Sequence, residues 1–304
     1  MDLSLWQYVA RWLQGTTAIF QLRGTCRSLH QIKVYKLPWW MRRTITNKRL
    51  GWVADGIKEL DFHHYAFAFV HRRDCEDANN YQRPCLVDNE GLKQCQSLKR
   101  LMADNTCLTW FPRTLRYLYI GGRQDVTNEM LQNAFEQGHL EELDARDTSI
   151  TWFPRTLRHL DVSRNQNVSY EMISHLNDLE WLIVSDTKIG LTKGTFPPNL
   201  QYLDATNCAD VDDAAIENCR ALTSLDASGT RITQFSPNLQ YLNIQNRSDI
   251  DNEVIENCWA LTSLNASGTR ITQFPETLKE LYICNRPDIT EEMLAHLEDC
   301  EIIR

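Results

Sequence analysis

At 304 residues the chain can bury one extended core or a few compact ones, and 42% hydrophobic with 24% charged residues is an ordinary folded composition. A net charge of −8 argues against a nucleic-acid or anionic-membrane partner for the chain as a whole. No apolar run approaches the roughly 20 residues of a membrane span, and the opening MDLSLWQYVARW lacks the basic segment and long apolar core of a secretory leader.

Residues 1–36 predict a small all-helical module. Leu3, Leu5, Trp6, Val9, Trp12 and Leu13 are helically spaced, Gly15-Thr16-Thr17 breaks the pattern, and Ile19, Leu22, Cys26 and Leu29 resume it. Thr16 or Thr17 can cap the second helix. Helices this short do not fold alone, so they are expected to bury against a partner or against the first repeat. The stretch TTAIFQLRGTCRSLHQI, with a polar cap, a helix and then Cys26-Arg27-Ser28-Leu29, resembles the second half of an F-box, and WQYVARWL resembles its first helix. No proline follows Leu3 or Leu5, where that family opens with Leu-Pro. The resemblance implies that Leu3, Leu5, Trp6, Val9, Trp12, Ile19, Leu22 and Cys26 contact a Skp-type adaptor and, through it, a cullin. Residues 37–56 are basic and Trp-rich. They read either as a plug sealing the first repeat, with Trp39, Trp40 and Trp52 as core, or as a rigid joint or partner contact.

From residue 57 to 304 the chain repeats. CRALTSLDASGTRITQFSPNLQYLNI (219–244) and CWALTSLNASGTRITQFPETLKELYI (258–283) lie 39 residues apart and agree at most positions, the signature of a stacked-repeat protein. Two kinds of unit alternate. Longer units open at Leu115, Leu157, Leu200, Leu239 and Leu278 with a Leu-x-x-Leu strand. They continue through Val126, Val168, Val211, Ile250 or Ile289 to helically spaced pairs such as Met130/Leu131 and Val254/Ile255, with Glu129, Glu171, Glu253 and Glu291 at the helix starts. Shorter units open at Leu98, Leu140, Leu179, Leu222 and Leu261, place Thr106, Thr148, Thr187, Thr230 and Thr269 at one repeated turn, and close with Phe-Pro or Phe235-Ser236-Pro237. A stacked Thr hydroxyl can satisfy buried backbone groups there, and the proline predicts a short extended return.

An earlier longer unit starts at Ile57, Leu60 and Phe62 and ends as DNEGLKQCQSL (88–98), with an insertion at about 63–87 that projects as a loop. The polar end 297–304 reads as a cap. The pattern resembles the leucine-rich repeat, its longer units the cysteine-containing subtype of F-box proteins, with Cys95, Cys219, Cys258 and Cys300 at the helix end and Cys208 at the second Cys site, where Arg123, Asn165, Arg247 and Arg286 stand in other units. The shorter units are similar to Pro-ending repeats. The expected fold is therefore α/β: a leucine-rich-repeat solenoid of about eleven strands behind an F-box-like helical module.

No catalytic constellation emerges, so the chain reads as non-enzymatic, with no cofactor. His63, His64, His71, Cys75 and Cys85 match no compact zinc spacing. Ten cysteines spread over the whole length predict reduced thiols in an intracellular protein, cytoplasmic or nuclear. The concave strand face is the expected partner surface. There Tyr117, Tyr119, Asp144, Asp161, Trp181, Tyr202, Asp204, Asp226, Tyr241 and Tyr282 flank the buried leucines, a row of carboxylates bordered by aromatics that suits a protein substrate with a basic segment. The function expected from the resemblance is the substrate receptor of a Skp–cullin–F-box ubiquitin ligase. A scaffold subunit of a large assembly, without ubiquitin chemistry, is the second reading.

Overall fold

The computed structural model describes residues 58–61, 88–104, 106–136 and 139–304. They fall into two compact units on either side of the Leu140–Glu141 bond. The segments 1–36 and 37–56 and the insertion at 63–87 lie outside the described residues.

In the first unit, β1 (Glu59–Asp61), β2 (Arg100–Met102) and β3 (Tyr117–Tyr119) pair in parallel, with Leu60, Leu101 and Leu118 in one column. In the second, β4 (Glu142–Asp144), β5 (His159–Asp161), β6 (Trp181–Ile183), β7 (Tyr202–Asp204) and β8 (Ser224–Asp226) open a parallel ladder. It continues through β9 (Tyr241–Asn243), β10 (Ser263–Asn265), β11 (Glu280–Tyr282) and β12 (Glu301–Ile303). Every strand is three residues long, and in β2, β3 and β5–β11 only its central residue is buried. Leu143, Leu160, Leu182, Leu203, Leu225, Leu242, Leu264 and Leu281 stack without offset and are all but fully buried. Each contributes about 2 kcal/mol of burial. A one-residue slip would exchange them for the Asp, Tyr and Ser residues beside them, so the register is tightly specified. This is leucine-rich-repeat architecture.

The end of the chain departs from expectation. Residues 301–303 form a twelfth strand, Ile302 beside Leu281, rather than a polar cap. Ile302 and Ile303 are half-buried beside Leu281 and Tyr282, and Glu301 is exposed.

Away from the strands, the longer units make short helices: α1 (Asn89–Lys93), α2 (Asn128–Phe135), α3 (Tyr170–Ile173), α4 (Asp213–Ile216), α5 (Asn252–Ile255) and α6 (Glu291–Leu294). Helices of one or two turns are not stable on propensity, so side chains hold them. Leu131, Ile173, Ile255 and Leu294 are buried. Asp88 accepts the amides of Glu90 and Gly91 at the start of α1, and Asp251 accepts that of Glu253 at α5. The first helical side chain also clamps the next unit. Asn252 Oδ1 accepts Thr272 N and Gln273 N at 2.8 and 3.0 Å, and Asp213 does the same for Thr233 and Gln234. Shorter units return in extended backbone apart from a 3-10 turn at Ile189–Leu191. Phe111, Phe153, Phe196 and Phe274 are buried at their ends, whereas Phe235, whose proline comes one residue later, is half-buried.

The repeated threonines and the position that varies among Arg, Asn and Cys solve one problem together. Thr106, Thr148, Thr230 and Thr269 each donate to the carbonyl three residues earlier, at 2.6–2.9 Å. The carbonyls further along that turn need another donor. Arg247 supplies it, reaching Ile232 O at 3.1 Å, Ala227 O at 3.3 Å and Thr230 Oγ1 at 3.2 Å while pairing with Asp249 at 2.6 Å. Arg123 (on Leu108 O, with Asp125) and Arg286 (on Ile271 O, with Asp288) repeat this arrangement. Asn165 serves Ile150 O at 2.7 Å, and Cys208 Sγ lies 3.1 Å from Val184 O.

Candidate functional site

The two residues flanking each buried leucine form two outward columns on the strand face. In the second unit the leading column runs Glu142, His159, Trp181, Tyr202, Ser224, Tyr241, Ser263 and Glu280. The trailing column runs Asp144, Asp161, Ile183, Asp204, Asp226, Asn243, Asn265 and Tyr282.

In the leading column, Trp181 and Tyr202 stand on adjacent strands and stack at 3.6 Å with planes 7° apart. His159 meets the other side of Trp181 edge-on, and Trp181 is still 42% exposed. Tyr241 lies two strands beyond Tyr202, with Ser224 between them. Together with Thr223 these residues line a groove of about 440 Å³. Burial, and then Asp204 and Asp226, push the Tyr202 hydroxyl up to about 12; the same causes, burial first, raise Tyr241. Both phenols are neutral O–H groups at physiological pH.

The trailing carboxylates have a structural task that the residue pattern alone did not reveal. Asp144, Asp161, Asp204 and Asp226 each accept the backbone amide two residues on, as do Asn243 and Asn265, closing the turn after the strand. Their charge is a separate matter, since Asn closes the turn equally well. Asp144 is 8% exposed and pairs with Arg146 at 2.8 Å, so it is not open to a partner. Asp226 accepts Asn243 Nδ2 at 2.6 Å. Among the described residues no ion pair involves Asp161, Asp204 or Asp226. Burial raises Asp204 above the usual carboxylate range, and Asp226 and Asp161 add to the rise.

The predicted site residues therefore divide. Trp181, Tyr202, Asp204, Asp226 and Tyr241 come together; Asp161 lies across Ile183 from Asp204, and Tyr282 three strands past Asp226. Tyr117 and Tyr119, in the first unit, hold Arg100: its guanidinium lies 4.1 Å from the Tyr117 ring and 5.6 Å from the Tyr119 ring, and donates to Tyr119 Oη at 2.6 Å. Arg100 and Ser224 occupy the same leading position, one residue before the buried leucine, and are the residues the sequence reading missed. Leu3, Leu5, Trp6, Val9, Trp12, Ile19, Leu22 and Cys26 lie outside the described residues. Cys95, Cys219 and Cys258 are core: burial pushes Cys95 and Cys219 up to about 12 and Cys258 to about 11, so they stay protonated and unreactive. Cys300 departs from the expected helix-end position, which Leu297 fills, and is half-buried. A second depression of about 530 Å³ beside α5 carries Trp259, 68% exposed, among Glu253, Glu256 and Glu276, another feature the repeat pattern did not single out.

Among the described residues, no group of three His, Cys, Asp or Glu is placed to hold a metal, and no helix is long and apolar enough to cross a membrane. No family model matches the chain, and no curated protein matches it. Among solved structures it is similar to an internalin from Listeria monocytogenes, at 19% identity over 70% of this chain and 82% of that one, with a TM-score of 0.46. It is also similar to YopM, a leucine-rich effector protein from Yersinia pestis (21%, 62% and 55%, TM-score 0.48), and to a leucine-rich-repeat protein of Leptospira interrogans (16%, 96% and 99%, TM-score 0.49).

Proposed function

We propose that this chain is a non-enzymatic protein-binding receptor whose strand face in the second unit selects the partner. The observation that carries the reading is the groove at Trp181, Tyr202 and Tyr241. It gathers the stacked Trp181 and Tyr202 with Tyr241, and along the same strands stand Asp204 and Asp226, which are in no ion pair among the described residues. Large, rigid aromatic side chains at little entropic cost are what a partner-binding hot spot is built from.

The N-terminal segment refines this to the substrate receptor of a Skp–cullin–F-box ubiquitin ligase, with residues 1–36 docking the adaptor. Its support is the F-box-like pattern of WQYVARWL and TTAIFQLRGTCRSLHQI ahead of a leucine-rich-repeat chain. The test is affinity purification of the full chain and of its Trp6→Glu/Leu22→Glu double variant from cells. A Skp-type adaptor and a cullin are expected with the parent and not with the variant. Their absence from both removes the ligase role, and the face-binding role then stands or falls on Tyr202→Ser and Tyr241→Ser. The scaffold reading draws on the missing proline after Leu3 and Leu5. It predicts the same large partners with parent and variant.

A further inference from the structure

We infer that the groove between Tyr202 and Tyr241 is an arginine subsite: it takes one guanidinium from an extended segment of the partner, held between the two rings above Ser224 and beside Asp204 and Asp226. The inference rests on the proposed role of the strand face and adds the chemistry of what binds there.

The first unit contains the arrangement already occupied. Arg100 precedes the buried Leu101, Tyr117 pairs with it across the ladder, and Tyr119 stands two residues further along. The guanidinium sits over Tyr117 at 4.1 Å and donates to the Tyr119 hydroxyl at 2.6 Å. The second unit repeats the register at β8 and β9, where Ser224 pairs with Tyr241 as Arg100 pairs with Tyr117. The tyrosine is kept, and the arginine is replaced by a residue too short to cover it.

Spacing defines what fits. Adjacent strands lie about 4.8 Å apart, so Trp181 and Tyr202 close directly on each other. Tyr202 and Tyr241 are two strands apart, about 10 Å. A flat group needs about 7 Å between two rings, at about 3.5 Å for each face. A guanidinium enters that width with about 3 Å to spare, stacks on aromatic faces and carries N–H groups at its rim, whereas an ammonium has no plane to stack. Acceptors stand about 7 Å further along the strands, outside the groove's own lining, because Asp226 is two residues from Ser224 and Asp204 two from Tyr202. Neither carboxylate is in an ion pair among the described residues, and both rings are half-buried and neutral. Opposite charge and room for a flat cation thus occur on the same stretch of the ladder.

The test selects 12-residue peptides from a random display library on the full chain and resynthesises the winners with arginine replaced by citrulline or by lysine. Selected peptides are expected to share an arginine. Citrulline, which keeps shape and loses charge, is expected to weaken them about tenfold, lysine less, and Tyr241→Ser or Asp226→Asn about as much as citrulline. Asp226→Asn retains the turn bond to Ser228 but gives up the bond from Asn243 Nδ2. Asp204→Asn keeps the turn bond to Thr206, so it is the variant to rely on if the other substitutions lower the melting temperature. Peptides lost on Tyr202→Ser and Tyr241→Ser but indifferent to citrulline overturn the arginine subsite and leave the binding face intact. Winners indifferent to every strand-face variant, or no winners at all, overturn both.

Discussion

Tyr117 of β3, Tyr202 of β7 and Tyr241 of β9 occupy the same position on the same kind of strand, yet the first is closed and the others open. In the first unit Arg100 lies across Tyr117 and Tyr119. In the second unit the rings face carboxylates, and the neighbouring strand offers Ser224. Several of the second unit's arginines are paired elsewhere: Arg247 and Arg286 with buried carbonyls and an aspartate two residues on, and Arg146 and Arg158 with Asp144 and Glu180. An aromatic row is therefore not by itself a binding surface. What decides is whether the adjacent strand supplies the cation.

The comparison can be broken most forcefully at its satisfied side. Arg247→Ala removes the donor to Ile232 O and leaves that acceptor buried without it, while Ala227 O keeps the Thr230 hydroxyl. Stranding such groups costs about 3 kcal/mol, or a Tm lower by about 6–12 °C for a unit of this size. Thermal melting followed by circular dichroism reads it directly. An unchanged Tm would mean that the buried arginines are ornamental and that pairing within the chain says little about the face.

How much of this was legible in the residues follows from what recurs. The column of leucines, the alternating units and the inward Val126, Val168, Val211, Ile250 and Ile289 declare themselves because one period repeats them. Ile302 and Ile303 form a strand where the 39-residue spacing from Leu264 places one, but Cys300 and Ile302 stand where the other units have leucines, which hid it. Arg123 and Arg247 stood out as departures from Cys, but the carbonyls they serve lie 15 residues upstream and become neighbours only after folding. The carboxylate row was visible while its turn-closing amide bonds were not, which is why Asp144, buried and paired with Arg146, was grouped with Asp204. The difference between Arg100 and Ser224 was likewise out of reach, since it matters only once the ladder register sets each beside a tyrosine.

A smaller effect is expected at Arg100. Arg100→Ser strips the first unit's tyrosines of their cation and should lower stability by about 1 kcal/mol, the scale of a partly exposed cation–π contact with one hydroxyl bond. Denaturant unfolding measures it, and no loss would mean that Arg100 merely rests on the rings. The converse change should sharpen the contrast: Ser224→Arg places a guanidinium beside Tyr241 in the register of Arg100 beside Tyr117. The expectation is a gain of about 0.5 kcal/mol together with loss of the arginine peptides, a pairing of outcomes that steric blocking alone does not produce.

The smallest effect is in protons, and it separates the same two situations by sign. Hydrogen bonds from Arg123, Arg247 and Arg286 hold Asp125, Asp249 and Asp288 below the ordinary carboxylate range. Their contribution is fully present above about pH 3.9, the unfolded value, and is lost as pH falls through the lower folded values. Because these carboxyls are largely exposed, solvent screening keeps it small. Asp204 is displaced the other way, by burial and then by Asp226 on the next strand and Asp161 beyond Ile183. Its ionised form costs stability, so that cost disappears as pH falls from neutrality through its raised folded value toward 3.9. Denaturant unfolding at several pH values should thus show a slight rise in stability on mild acidification that Asp204→Asn abolishes, followed by a decline at lower pH that the substitution leaves in place. A bound guanidinium favours the ionised carboxylate, so peptide affinity should climb as pH rises through the Asp204 range and then level off, a dependence that Asp204→Asn should flatten. If affinity is flat across that range in the parent chain, Asp204 does not face the ligand's charge, and the openness of this face must be explained by its rings alone.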